Sequence, residues 1–450
     1  MSFKFHNLLL IVCMFILNDG VKSCDEPLRR VCYYTSWGGV LPLPEHCTHV
    51  IHSFATMENG VLDGVWSNPL KELKQKNAEL KLMVAVGGWG FGVTRMTEML
   101  KDESTRKKFV DHSVGFLRKF EFDGLDLDFE YPGINMTDNQ NQNRFSPPED
   151  KQRFTLLIKE LREKFDAESA SGSKLILSAA VGCRQPDIDN GYEIEKISQY
   201  LDFINLMSYD LRGSMDEFAS HHSPLYSGSY EEGEQKVFNQ DWVVNYFISN
   251  GAPPEKLNLG LAMYGKSFVW NSDARMIGGP AKFGDFVSYK QVCGYLNSKW
   301  KRVWVDDQQV PFIFQGNVMV GYDDPESIGI KLNYTVQRGL GGVLIWSVDQ
   351  DDNTGYGCNN GKFPLMTKIY DTLKDQKTIC TTTPKPTTRA PEAAANRTKM
   401  ITPAWKKTSK FLPKDIRGSR YGLGSSSDKL HQSRLIQLLI SLIVSVIYLF

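Results

Sequence analysis

The chain has 450 residues, 41% of them hydrophobic, which is enough for one barrel-sized domain with extras or for several smaller domains. Lys plus Arg number 52 and Asp plus Glu 52, a formal charge of zero with no long basic run, which points away from nucleic acid as a partner. Aromatic residues make up 12%, which suits a site that stacks rings on a flat ligand and suits an ordinary core equally.

At the N-terminus Lys4 and His6 precede an apolar run over 8–17, then small and polar residues around Gly20 and Ser23. This reads as a secretory signal over 1–23, too short to span a bilayer; a buried N-terminal strand is the other reading. Cleavage removes Cys13 and delivers the rest to an oxidising compartment. Short apolar, β-branched or aromatic runs then recur at 31–34, 49–54, 82–86, 125–129, 175–181, 203–207, 257–263 and 343–346. Helix-like stretches alternate with them, such as 104–120 and 148–165. The second carries Phe154, Leu157, Ile158, Leu161 and Phe165 at helical spacing after Pro147-Pro148.

This rhythm predicts an α/β fold, a (β/α)8 barrel, with an open doubly wound sheet as the alternative. No Gly-rich phosphate loop follows the first strand. The interval 264–342 exceeds one crossover helix and holds strand-like pieces, so a small α+β insertion is expected over about 266–335. The barrel domain is set at 24–380 and a Thr/Pro-rich, polar stalk at 381–427. Residues 428–450 end the chain as a hydrophobic signal. Its apolar part, 435–450, makes a helix of about 24 Å against a hydrocarbon core of about 30 Å. Small residues Gly424 to Ser427 and a polar spacer precede it, the pattern of a glycolipid-anchor signal; a short spanning tail is the other reading. Asn135, Asn333 and Asn396 are in N-x-Ser/Thr sequons.

The chemistry concentrates in Asp123-Gly124-Leu125-Asp126-Leu127-Asp128-Phe129-Glu130. In a strand, alternate side chains share a face, so Asp126, Asp128 and Glu130 climb one wall at roughly 7 Å steps while Leu125, Leu127 and Phe129 face away. Carboxyls so placed share protons, and one kept protonated near neutral pH is a general acid for glycosidic cleavage. An acidic surface strand is opposed by the apolar partners, and a calcium loop by the Leu and Phe interleaving. An Asp-x-Asp metal site of a sugar transferase is the chemical rival. Glu130 falls at the carboxyl end of its strand, where barrel active sites lie.

In order along the chain, several segments resemble the family 18 chitinases, in particular the animal chitinases and chitinase-like lectins. They are Val31-Cys32-Tyr33-Tyr34, Cys47-Thr48-His49, Ala85-Val86-Gly87-Gly88-Trp89, Asp123 to Pro132, Met207-Ser208-Tyr209-Asp210, Tyr264-Gly265 and Gly341 to Asp352. The resemblance covers 29–355 and implies a (β/α)8 barrel with an α+β insertion before the last strand. It implies that Glu130 protonates the leaving oxygen, that Asp128 orients the substrate's acetamido group, and that Asp126 shares the proton. The acetamido oxygen is then the nucleophile, the family being an exception to the two-carboxylate rule. Tyr209 is similar to the family Tyr that hydrogen-bonds the acetamido carbonyl, with Met207 and Asp210 beside it, and Trp346 to the sugar platform. Tyr33, Phe54, Trp89, Tyr131 and Tyr264 are then expected in the cleft wall, beside Gly87 and Gly88. The disulfides it implies are Cys32–Cys47 and Cys293–Cys358, with Cys24, Cys183 and Cys380 unassigned.

The sequence departs from the family pattern at His52 for Tyr, Met215 for a cleft Trp, Lys266 for Arg and Met319 for an aromatic residue. Fewer platforms weaken the hold on a long chain, and Lys lacks the bidentate fork of Arg. The expectation is an extracellular, monomeric, membrane-anchored endochitinase acting on chitin or N-acetylglucosamine oligosaccharides, without cofactor or metal. The alternatives are a weakly active or inactive chitin-binding lectin of the same fold, and a hydrolase of N-glycan cores.

Overall fold

The computed structural model describes residues 26–378, apart from 65–67, 138–142, 170–171, 272 and 274. The signal, stalk and tail readings, with Asn396, Cys24 and Cys380, lie outside the described residues.

Eight parallel strands close into a barrel: β1 Arg29–Thr35, β2 His49–Glu58, β3 Lys81–Gly87, β4 Gly124–Asp128, β5 Ile176–Val181, β6 Phe203–Leu206, β7 Leu257–Ala262 and β8 Gly342–Trp346. Neighbours in sequence are neighbours in the ring, and β1 closes it by pairing with both β2 (Val31 opposite His49) and β8 (Arg29 opposite Gly342). Helices cover the outside. Glu103–Lys119 starts where the Asp102 side chain accepts from the Thr105 N–H in a capping box, and buries Phe109, Val110, Phe116 and Leu117. Asp150–Glu168 begins two residues after Pro148 and buries Phe154, Leu157, Ile158, Leu161 and Phe165.

Strand alternation divides the apolar residues into two cores. Val31, Ile51, Met83, Ala85 and Leu344 fill the barrel, while Leu82, Val84, Leu125, Leu127 and Phe129 pack outward with the helical residues. Between β7 and β8 lies a five-stranded antiparallel sheet of Tyr264–Trp270, Ala281–Ser288, Lys301–Val305, Val310–Gln315 and Val318–Gly321, with the helix Tyr289–Asn297. A two-stranded hairpin, Asn135–Thr137 with Asn143–Phe145, follows β4, an element absent from the sequence reading. Disulfides join Cys32 to Cys47 and Cys293 to Cys358, and Cys183 is a buried free thiol. Asn135 and Asn333 are both exposed. Among the described residues no helix is long and apolar enough to cross a membrane, and no His, Cys, Asp and Glu group has metal-site geometry.

The long segment after β6 is tied down by a buried ion pair. Lys331, on the helix Pro325–Gln337, places Nζ 2.6 Å from both Asp323 Oδ2 and the Ser223 carbonyl oxygen, with Lys331 fully buried. Removing one partner strands a charge in the interior, so Lys331→Met is expected to cost about 3–5 kcal/mol of stability, measured by urea unfolding.

Candidate active site

The carboxyl ends of the strands converge on the three acidic side chains of β4 and its end. Asp126 is deepest, with no solvent exposure. It accepts hydrogen bonds from Ser178 Oγ (2.5 Å), Tyr33 hydroxyl (2.7 Å) and Asn205 Nδ2 (3.3 Å), donors on β5, β1 and β6. Burial pushes its pKa up to about 6, against those three donors. Asp128 is buried one step higher, and its Oδ1 has no hydrogen-bond partner. Burial, then the charges of Glu130 and Asp126, push its pKa well above the usual carboxylate range.

Glu130 is half-buried at the mouth. Burial and the charge of Asp210 raise its pKa to about 7, against hydrogen bonding from Tyr131 and the Trp89 N–H and the charge of Arg144. The set therefore holds protons into the neutral range, and they titrate as a group.

Two glycines let the wall come close. Gly87 (φ 115°) ends β3, where a Cβ would lie 1.9 Å from the Asp128 carbonyl oxygen. A Cβ on Gly88 (φ 83°) would strike the Phe54 ring at 2.6 Å, and the Gly88 N–H donates to the Asp128 carbonyl at 2.7 Å. Cis peptide bonds join Ser53–Phe54, Glu130–Tyr131 and Trp346–Ser347.

The other expected residues take different depths. Trp346 is part-exposed between Tyr33 (centroids 5.5 Å apart) and Phe54 (6.0 Å). Met207 and Tyr209 are buried in the barrel core, and burial with the charges of Asp128, Asp210 and Glu130 keeps the Tyr209 phenol protonated. Tyr131 is half-buried. Tyr264 is buried, with its hydroxyl donating to Asp210 at 2.8 Å. Tyr33 is placed beneath the floor rather than in the wall, since it is buried and committed to Asp126. Trp89 is 39% exposed, with the Arg144 guanidinium 3.7 Å from its ring centroid.

The departures sort the same way. His52 sits one residue past Ile51, an interior side chain, and so points out of the barrel beside Tyr34, pairing in the outer core. Met319 is 0% exposed and packs with Phe268 and Trp270 inside the five-stranded sheet, away from the cleft. Neither removes a platform. Met215 is exposed beside Arg184 in a groove with Ile134, Met136 and Phe238. Lys266 reaches Asp210 at 2.8 Å and the Arg212 carbonyl at 3.1 Å, which holds a charge pair without a fork.

The sequence reading missed Trp37, 66% exposed and stacked on Phe54 at 6.2 Å, which extends the aromatic row from Trp346 outward. Its signal was position, two residues past the end of β1. It also missed Ser178 and Asn205, which period-two counting along β5 and β6 places inside the barrel. Arg144 had no signal, because it enters from a hairpin with no apolar pattern.

Comparison with known proteins agrees with this geometry. The family profile described as Glycosyl hydrolases family 18 matches residues 29–351. Chitotriosidase-1 of Mus musculus is 40% identical over 389 residues, covering 81% of this chain and 80% of that protein. The structure of human YKL-39, titled a pseudo-chitinase with retained chitooligosaccharide binding, matches with TM-score 0.71 at 33% identity, over 77% of this chain and 100% of that one. The Ostrinia furnacalis Group IV chitinase, solved with allosamidin, matches with TM-score 0.69 at 29% identity, over 77% of this chain and 99% of that one. With the barrel, the acidic strand and matches of this extent, the chain belongs to glycosyl hydrolase family 18.

Proposed function

We propose that the protein is a chitinase that hydrolyses β-1,4 bonds between N-acetylglucosamine units with retention, using the substrate's acetamido oxygen as nucleophile. The observation that carries the reading is Asp128. It is a buried carboxyl raised in pKa, with one oxygen unpartnered, between a fully hydrogen-bonded Asp126 and a mouth carboxyl that stays protonated to about pH 7. That oxygen is an acceptor waiting for a ligand N–H, as an acetamido group supplies.

In the proposed reaction, Glu130 gives its proton to the glycosidic oxygen as the C–O bond breaks, and the acetamido oxygen attacks the anomeric carbon. Asp128 accepts the acetamido N–H and faces the positive charge of the oxazolinium ion. Tyr209 donates to the acetamido oxygen. Water then opens the ring, losing its proton to Glu130, which restores the acid. Trp346, Phe54 and Trp37 form the sugar-facing row, and the exposed Trp89, next to Gly88 against the Phe54 ring, adds a further ring face. The chain is proposed to act in the extracellular space, as a monomer on a membrane held by a glycolipid anchor at the C-terminus. Release from membranes by a phosphatidylinositol-specific phospholipase tests that address.

Chitotetraose digested by the full-length protein is expected to release the β-anomer first, read by proton NMR within seconds of mixing. Inverted product, or no product at all, sinks the reading; binding without product leaves a lectin of the kind YKL-39 is titled to be. Because the acid must be protonated to act, kcat/KM is expected to fall as pH rises through about 7. A pH–rate profile on the same oligomer checks the direction.

A further inference from the structure

His221 and His222 lie side by side in the segment between β6 and the helix Gln240–Ser249, both without solvent exposure. The reaction above uses neither. His222 Nε2 lies 3.1 Å from the Tyr264 carbonyl oxygen. A carbonyl only accepts, so Nε2 carries the ring proton. The other nitrogen, Nδ1, lies 3.4 Å from Asp210 Oδ1 and has no hydrogen-bond partner. In the neutral ring it is therefore a lone pair facing a carboxylate. Two acceptors facing each other at this distance oppose each other, and a single proton on the buried Nδ1 turns the contact into a charge-assisted hydrogen bond.

The ring cannot easily turn away. The His222 carbonyl is fixed by the Leu211 N–H at 3.0 Å, and the ring packs 4.9 Å from Tyr264 and 5.5 Å from His221. His221 is itself held between the Tyr322 carbonyl and the Ser223 N–H. Asp210 is fixed in backbone too, at φ 55°. Its Oδ1 receives the Lys266 ammonium at 2.8 Å and the Tyr264 hydroxyl at 2.8 Å as well, so all three neighbours bear on one oxygen of a side chain that is 43% exposed.

We propose that His222 is a positioning residue for Asp210, a clamp worked by a proton: protonated, it locks the carboxylate beside Glu130; unprotonated, it opposes that lock. The proposal rests on the reading of the cleft as a chitooligosaccharide site with Glu130 as its acid. The groups facing the ring are Asp210, Lys266 and the Tyr264 hydroxyl on the cleft side. Behind His221 lie Asp323 and its partner Lys331. Burial lowers the basicity of His222, opposed by Asp210 and reinforced by Lys266, so the ring is neutral at neutral pH and takes its proton in acid. Asp210 in turn raises the pKa of both Glu130 and Tyr209, so a proton arriving at His222 reaches the reacting groups through one carboxylate.

The test uses full-length protein with 15N-labelled histidine, titrated by NMR from about pH 8 to about pH 5. His222 is expected as the Nε2–H tautomer at the start and to move toward imidazolium as the pH falls below the ordinary histidine range. It is assigned against His222→Asn, or by its contact with Tyr264 should that variant not fold. Calorimetric affinity for tri-N-acetylchitotriose is expected to tighten about fivefold over that range in the parent chain. In His222→Asn, whose amide donates at every pH, the change stays below about twofold. An Nδ1–H tautomer at neutral pH, a ring that stays neutral throughout, or a variant that follows the parent's curve overturns the clamp. A chain that titrates as expected but cleaves no chitooligosaccharide overturns the proposed function instead, so the two failures are told apart.

Discussion

Glu130→Gln is expected to lower kcat on chitotetraose about a thousandfold or more, while the dissociation constant for the same oligomer stays within about threefold. The amide keeps the size of the carboxyl and can still accept from the Trp89 N–H and from Tyr131, the donors that hold Glu130. What it loses is the transferable proton. The loss therefore depends on the leaving group: an alkoxide must be protonated as it departs, whereas an aryl oxide leaves with little help. On an aryl chitobioside the same variant is expected to lose about tenfold to a hundredfold less. Equal losses on both substrates would remove Glu130 from the role of acid.

The acidic strand was legible because strand periodicity is strict. Once Leu125 and Leu127 face the helices, Asp126 and Asp128 have only the barrel interior to face, and the two separate apolar cores bear this out. The barrel was legible from eight apolar runs interleaved with helical patterns, and β1 closes it on both sides. The departures were misjudged because a substitution in sequence does not say which side of a strand it occupies. His52 differs in parity from its interior neighbour Ile51, and Met319 sits in the core of a sheet whose register no local pattern sets. Tyr33 was misjudged in depth: at the end of a barrel strand, wall and floor differ by one side-chain step, and the hydrogen bond to Asp126 decides it.

These corrections change the picture of the cleft. Of the four departures, Lys266 reaches the site through Asp210 and Met215 lines a groove beside Pro132 and Arg184, so the loss of platforms is smaller than the sequence suggests. Trp37 adds an aromatic surface stacked on Phe54. Arg144 covers one face of Trp89 and places a positive charge in range of Glu130. The Glu130 carboxyl therefore has its proton held by burial and Asp210, and drawn off by Arg144.

Asp128→Asn separates charge from shape at the centre of that set. The amide fills the same space and its oxygen can still accept an N–H, so the variant is expected to bind oligomers. It no longer supplies a negative charge facing the oxazolinium ion, and a lost electrostatic contact of this kind costs kcat/KM about a hundredfold to a thousandfold. A second effect follows from the coupling. Asp128 and Glu130 each oppose the other's ionisation, so the last proton leaves the pair at a higher pH than it would leave Glu130 alone. With Asn at 128 that repulsion is gone, the pKa of Glu130 falls, and the acid is lost at lower pH. The alkaline limb of the pH–rate profile is therefore expected to move toward acid, in the same variant whose maximum rate drops. A drop in rate with the limb unmoved would mean that Asp128 acts on the substrate alone; a limb that moves toward alkali would contradict the shared-proton arrangement of Asp126, Asp128 and Glu130.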